Sequence, residues 1–270
     1  MRNPNPSGAV PHVRSAGAGH GVVCIHSNAS ASTQWRALMD LLAPTHRVLA
    51  PDSLGAGKSP EWPSAERISL QDEVDFLAPV LAEAGRPFSL VGHSYGGAVA
   101  LKAALSDPAA VRALVLYEPT LFALVEAESP EPNEVDGIRH AVRRAVAALE
   151  TGDSHAAAGH FIDFWMGDGS WAMTPAVRQP AIAEAVTKVR RWAHALFTES
   201  TPLAEFARLE MPVLYLLGEA SPESAQAVAR RLVPVLPRVT LRRLPGLGHM
   251  APITQPDTVN AVIADFLRGF

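Results

Sequence analysis

The chain has 270 residues, 48% of them hydrophobic, enough to bury one large α/β core or a core with an insertion. Its 27 acidic and 23 basic residues leave a net charge of −4, which excludes the strongly basic face or stripe that marks a nucleic-acid binder. A single cysteine, Cys24, excludes an intrachain disulfide and fits a reducing, cytoplasmic setting.

Residues 1–8 are polar and proline-rich, without the apolar core of a secretory leader. No apolar run approaches the ~18 residues needed to span a membrane. Short apolar segments then alternate with helical patterns. Strands are predicted at 21–26, 47–50, 88–91, 113–117, 213–217 and 239–244, and helices at 32–42, 69–84, 95–106, 222–236 and 256–267. Apolar strands that do not alternate are buried on both faces, as in a parallel sheet flanked by helices. Repeated strand–helix units give the α/β class. Cys24 falls inside the first strand and reads as a small core residue.

Between residues 117 and 213 no strand pattern occurs. Helices are predicted at 136–150, 155–165, 175–197 and 203–209, punctuated by Asn133, Gly152, Gly167, Gly169 and Pro202. About 90 residues is too long for a crossover loop. The segment reads as a helical insertion over the carboxyl ends of the strands, where open α/β sheets bind ligands. It carries Trp165, Trp171 and Trp192 with Phe122, Phe161, Phe164 and Phe197. These rings form either the insertion's own core or the wall of an apolar substrate pocket.

The most informative stretch is Gly92-His93-Ser94-Tyr95-Gly96-Gly97, a G-x-S-x-G match between the strand at 88–91 and the helix at 95–106. In that context the sharp turn strains the serine backbone and points Oγ out of the sheet edge. Gly92 and Gly96 lack a Cβ, so strand and helix approach closely. The helix aims free N–H groups and its positive end at the same point. A serine hydroxyl needs a base within hydrogen-bond reach. Among ten histidines His249 is best placed, in Gly246-Leu247-Gly248-His249-Met250 just after the last strand. His93 is expected to be structural.

Five segments together carry a family resemblance over nearly the whole chain: Cys24-Ile25-His26-Ser27-Asn28, residues 51–59 (Pro-Asp-Ser-Leu-Gly-Ala-Gly-Lys-Ser), the Ser94 elbow, residues 212–218 (Pro-Val-Leu-Tyr-Leu-Leu-Gly) and Gly248-His249. Their order and spacing resemble the α/β-hydrolase fold superfamily. The resemblance implies a twisted, mostly parallel eight-stranded sheet flanked by helices, with a helical cap after the sixth strand. It divides the chain into a core at 1–118 and 210–270 and a cap at 119–209. It also implies a Ser–His–acid triad and an oxyanion hole whose donors are the backbone N–H groups of Tyr95 and of a residue after His26. Where family members usually show His-Gly, this chain has His26-Ser27, so that second donor is Ser27 or, by position, Asn28.

The acid departs from the family pattern. The usual aspartate follows the strand at 213–217, yet Gly218-Glu219-Ala220-Ser221 has serine in its place, and a hydroxyl brings no charge to hold an imidazolium. Glu219 or Glu223 from the same loop are alternatives. So is Glu118, which ends the preceding strand, as in some haloalkane dehalogenases and lipases. A strand end is rigid, which a triad member needs, and Glu118 is the favoured acid.

The chain therefore reads as a cofactor-free serine hydrolase acting on a carboxylic ester, thioester or lactone of a small to medium hydrophobic substrate. Carbon–carbon bond hydrolysis and cofactor-free perhydrolysis would use the same triad. A non-catalytic ligand receptor on the same fold is the alternative of another class. Residues 55–59 resemble the end of a phosphate-binding loop, but Asp52 stands where its first glycine would be. No histidine or cysteine spacing points to a metal site.

Overall fold

The computed structural model describes residues 9–62 and 67–270; the stretch at 1–8, where no leader is expected, lies outside the described residues. Seven strands form one sheet: β1 (Val13–Ala16), β2 (His20–Ile25), β3 (His46–Pro51), β4 (Phe88–His93), β5 (Val111–Tyr117), β6 (Val213–Gly218) and β7 (Val239–Leu244). Their order is β1-β3-β2-β4-β5-β6-β7. Only β1 runs antiparallel, against β3; the other five ladders are parallel.

The expectation of eight strands is corrected to seven among the described residues, and the insertion follows the fifth of them rather than the sixth. One antiparallel edge strand, β1, flanks the parallel series. No apolar run marks β1, which is four residues long, carries Arg14 and Ser15, and lies half-exposed at the edge.

The apolar strands sort their side chains by parity. Val23, Ile25, Leu90, Leu114, Leu116, Tyr215 and Leu217 pack with α2 (Leu70–Glu83), α3 (Tyr95–Ser106) and a helix at Glu223–Leu232. Val22, Cys24, Val91, Val115, Leu214 and Leu216 pack with α1 (Arg36–Leu42) and the C-terminal helix at Pro256–Leu267. Because both faces are covered, the strands read as continuous apolar runs. Cys24 is fully buried, and burial pushes its thiol pKa far up, as befits an unreactive core residue. The α2 start follows from Ser69 and Asp72, whose side chains and backbone N–H groups cap one another reciprocally.

Six helices lie between β5 and β6: α4 (Ala123–Glu128), α5 (Asp136–Glu150), α6 (Ser154–Met166), α7 (Ser170–Met173), α8 (Gln179–Val186) and α9 (Val189–Phe197). The single helix predicted at 175–197 is thus two. At the break the Thr187 hydroxyl donates to the Glu184 carbonyl at 2.6 Å, a local bond that competes with the helical ladder. Ion pairs tie this segment down from three sides: Lys102 with Glu199 at 2.9 Å, Lys188 with Glu61 at 2.7 Å and Arg231 with Glu134 at 3.2 Å. The helices α10 (Glu223–Leu232), α11 (Ala251–Thr254) and α12 (Pro256–Leu267) complete the chain. Among the described residues no helix is long and apolar enough to cross a membrane.

Candidate active site

Ser94 sits between β4 and α3 with φ 56° and ψ −119°, a backbone conformation that L-residues rarely adopt. Its N–H donates to the Tyr117 carbonyl at 2.9 Å, and its own carbonyl accepts from Ala98 at 3.1 Å and Thr120 at 3.3 Å. These bonds hold the strain in place. The flanking glycines are required by space. A Cβ on Gly92 would lie 2.4 Å from the Gly96 carbonyl oxygen, and one on Gly96 would lie 2.3 Å from the Ile25 carbonyl oxygen.

The turn brings Ser94 Oγ to 2.9 Å from His249 Nε2, and His249 Nδ1 lies 2.7 Å from Glu118 Oε2. A carboxylate accepts, so Nδ1 carries the imidazole hydrogen and Nε2 is left to accept from the serine hydroxyl. All three side chains are buried: Ser94 is 5% exposed, His249 1% and Glu118 0%. Glu118 ends β5 in a left-handed conformation, φ 45°. Its second oxygen, Oε1, accepts from the Gly218 N–H and from the Ser221 hydroxyl, each at 2.6 Å. Both oxygens of the carboxylate thus accept hydrogen bonds, as a buried carboxylate requires. Of the acid candidates Glu118 is the one joined to His249; Glu219 is exposed, and Glu223 pairs with Arg230 on α10.

The loop bearing His249 is fastened from below. His93 Nε2 donates to the His249 carbonyl at 2.8 Å, and Tyr117 donates its hydroxyl to the Gly248 carbonyl at 2.8 Å. His93 Nδ1 accepts from the Gln34 amide at 3.1 Å. Burial, reinforced by the nearby His249, holds the His93 pKa well below the ordinary value, so this imidazole stays neutral with one fixed tautomer. The expected structural role of His93 has that physical content.

Gln34 also organises the other side of the site. Its Oε1 accepts from the Ser27 N–H at 3.1 Å and the Ser27 hydroxyl at 3.0 Å. Ser27 and Asn28, the two loop residues that could give the second oxyanion donor, both line the cavity beside Ser94, and among the described residues the Ser27 N–H is engaged by Gln34. Tyr95 is the first residue of α3, where N–H groups have no intrahelical acceptor. The segment at 55–59 has a local task instead of phosphate binding. Lys58 N–H donates to Asp52 at 2.9 Å, and Asp52 receives the Ser32 N–H at 2.6 Å. The adjacent Ser53 N–H bonds His26 Nε2 at 3.0 Å, so this turn buttresses the His26–Asn28 loop.

A cavity of about 800 Å³ opens from Ser94 to the surface between the strand ends and the inserted helices; Asn28, Phe161, Trp165, Met250 and Ile253 are among its walls. A smaller inner lobe of about 20 Å³ shares Asn28, Ser94, Phe161 and Trp165 and is otherwise lined by Thr120, Phe122, Trp192 and other apolar groups. The Trp165 ring from α6 stacks on the His249 imidazole, centroids 3.8 Å apart and planes inclined by 22°. Of the insertion's aromatic residues, Phe161, Trp165, Phe122, Trp192 and Phe197 line these cavities, whereas Trp171 packs on His155 away from them. Gln34 and Thr120 carry no sequence signal as site residues, and Ser221 shows only as a serine where an acid is expected. Gln34 meets its partner His93 across 59 positions of chain, a relation no local pattern displays.

A family model described as the alpha/beta hydrolase family matches residues 22–262 of the chain. The chain belongs to this family. Within the family it is 38% identical over 114 residues to 2-hydroxymuconate semialdehyde hydrolase of Pseudomonas sp. (strain CF600), covering 41% of this chain and 40% of that protein. It is 34% identical over 135 residues to lipase LipV of Mycobacterium tuberculosis, covering 47% of this chain and 50% of that protein. Both matches span half or less of these relatives' length. The crystal structure of the enol-lactonase from Burkholderia xenovorans LB400 superposes with a TM-score of 0.75 over 98% of both chains, at 20% identity, a likeness of fold.

Proposed function

We propose that this α/β-hydrolase family member is a cofactor-free serine hydrolase that cleaves a carboxylic ester, thioester or lactone of a small to medium hydrophobic substrate. The hydrogen-bonded series Ser94–His249–Glu118 carries this reading. Residues 1–118 and 210–270 act as the core, and 119–209 as the cap that shapes the pocket.

In the reaction Ser94 Oγ bonds to the substrate carbonyl carbon while His249 Nε2 takes its proton. Glu118 orients the imidazole and offsets the positive charge it gains. The carbonyl oxygen, now an oxyanion, lies between the backbone N–H groups of Tyr95 and Asn28, donors worth ~100- to 1000-fold each in rate. The tetrahedral adduct collapses, the bond to the leaving group breaks, and His249 returns the proton to it. Water then repeats the sequence on the acyl-enzyme and frees Ser94. Glu118 in contact with His249 weakens the receptor alternative, which rested on the serine at position 221.

The test is Ser94→Ala. Turnover of p-nitrophenyl esters is expected to vanish while circular dichroism stays that of the folded protein, and a fluorophosphonate probe is expected to label only the wild type. Turnover retained by the variant overturns the reading. Similarity to 2-hydroxymuconate semialdehyde hydrolase and to 2-hydroxy-6-oxo-2,4-heptadienoate hydrolase of Pseudomonas putida, 36% identical over 114 residues, supports carbon–carbon bond hydrolysis as a second reading. Mass spectrometry of products from a vinylogous diketone separates the two.

A further inference from the structure

The inner lobe holds one polar oddity. Thr120 is 1% exposed, and its Oγ1 is buried with no hydrogen-bond partner among the described residues. A buried hydroxyl left unpaired is costly, and such groups are normally met by protein, water or ligand. Thr120 is also fixed in place. Its N–H donates to the Ser94 carbonyl at 3.3 Å and its carbonyl accepts from Phe122 N–H at 2.9 Å. The side chain therefore stands beside the nucleophile in a pocket that Asn28 also lines and whose other walls include Phe122, Ile138, Val142, Trp192 and Leu196. The open volume, about 20 Å³, admits a water-sized group.

The two lobes differ in access. Exposed residues such as Arg36, Met173 and Arg178 rim the large cavity, whereas every residue lining the inner lobe is buried or half-buried. A leaving group has to depart while the acyl group is still bonded to Ser94. The lobe rimmed by exposed residues suits the first, and the lobe lined by buried and half-buried ones suits the second.

We propose, building on the serine-hydrolase reading, that the inner lobe is an acyl pocket for a short chain carrying one oxygen next to the scissile carbonyl, as in 2-hydroxy or 2-oxo acyl groups, and that Thr120 Oγ1 hydrogen-bonds that oxygen. A plain alkyl chain of equal length leaves Thr120 unpaired, and a longer one does not fit. Thr120 is thus a residue that selects the substrate by a polar contact on a wall that, away from Ser94 and Asn28, is apolar.

Two measurements test this. In the first, kcat/KM is compared for phenyl 2-hydroxypropanoate and phenyl propanoate with wild type, Thr120→Val and Thr120→Ser. Intrinsic reactivity cancels between enzymes. The preference for the hydroxy ester is expected to fall about tenfold in the valine variant, the effect of one lost hydrogen bond to a buried group, and to persist in the serine variant. In the second, calorimetry compares lactate and propanoate binding to Ser94→Ala and to Ser94→Ala/Thr120→Val. Lactate is expected to bind the single variant about tenfold more tightly, with the difference gone in the double variant. An unchanged ester ratio in Thr120→Val, or equal binding of the two acids by Ser94→Ala, overturns the proposal. If neither ester is hydrolysed but the Thr120-dependent lactate preference is present, the hydrolase reading falls and the oxygen-selecting lobe stands.

Discussion

Ser221, at the position where the resemblance leads an acid to be expected, donates its hydroxyl to Glu118 Oε1 at 2.6 Å. The two loops that offer an acid in this fold thus converge on one site. Here the strand-end residue supplies the carboxylate and the loop residue supplies a donor to it. The same loop contributes the Gly218 N–H, and Gly218 has no room for a side chain: a Cβ there would lie 2.4 Å from the Leu247 carbonyl oxygen.

That convergence makes the acid transferable. Glu118→Ala is expected to lower kcat by about 10⁴-fold, the scale seen when a triad loses its acid. Adding Ser221→Asp to that variant is expected to restore activity at least tenfold, since a carboxylate then enters from the other loop. Ser221→Ala alone removes a hydrogen bond to a carboxylate, on the order of 1.5–3 kcal/mol, and is expected to reduce kcat/KM about tenfold. Steady-state kinetics on one p-nitrophenyl ester decide all three.

Trp165 covers one face of His249. An indole face favours a cation by roughly 0.5–2 kcal/mol, and in the proposed reaction the imidazole takes the Ser94 proton. Trp165→Ala is expected to lower kcat about tenfold, and Trp165→Phe to keep most of it. Equal kcat for the alanine variant and wild type would contradict the stacking argument.

The fastening of the His249 loop has a stability readout. His93→Leu leaves the Gln34 amide and the His249 carbonyl without partners, each costing about 1–3 kcal/mol when buried. Tyr117→Phe orphans the Gly248 carbonyl alone. Urea denaturation is expected to rank His93→Leu below Tyr117→Phe and both below wild type.

Glu73 gives a pH signature of opposite sign to the usual carboxylate. It is fully buried on α2, accepting from the Tyr95 hydroxyl and the Leu54 N–H, each at 3.2 Å, and burial pushes its pKa up to about 7. Below about pH 4.5 it is protonated folded and unfolded alike, so no pH-dependent penalty applies. Between 4.5 and 7 the unfolded chain releases the proton that the folded one keeps, so stability falls as pH rises. Relative to Glu73→Gln, wild type is expected to lose about 3 kcal/mol of unfolding free energy between pH 4.5 and 8. A constant difference across that range would show that Glu73 titrates normally.

Much of this was legible in the chain. Parallel strands buried on both faces declare themselves as apolar runs, and the Gly92–Gly97 turn names its nucleophile because steric demand forces glycine at fixed offsets. His249 followed from chain order. Glu118 is legible only through the resemblance, which with serine at position 221 allows an acid from the neighbouring strand end as well as Glu219 or Glu223. What stayed hidden depends on tertiary approach. β1 is short, polar and at an edge. The break at Thr187 coincides with a side-chain hydrogen bond to the Glu184 carbonyl, which no apolar pattern displays. Trp165 was one of three tryptophans in the inserted segment, and only the packing of α6 distinguishes it. Gln34 and Thr120 are ordinary polar residues whose importance lies in what they face.

The ring stacked on His249 also turns the protein into its own optical instrument. An imidazolium quenches the fluorescence of an indole in contact with it, and Trp165 sits 3.8 Å from the imidazole centroid. Emission from this one tryptophan, isolated by replacing the other four with phenylalanine, would report the charge on the base and the seating of α6 above it in the same signal. A stopped-flow trace could then follow acylation and deacylation with substrates that carry no dye.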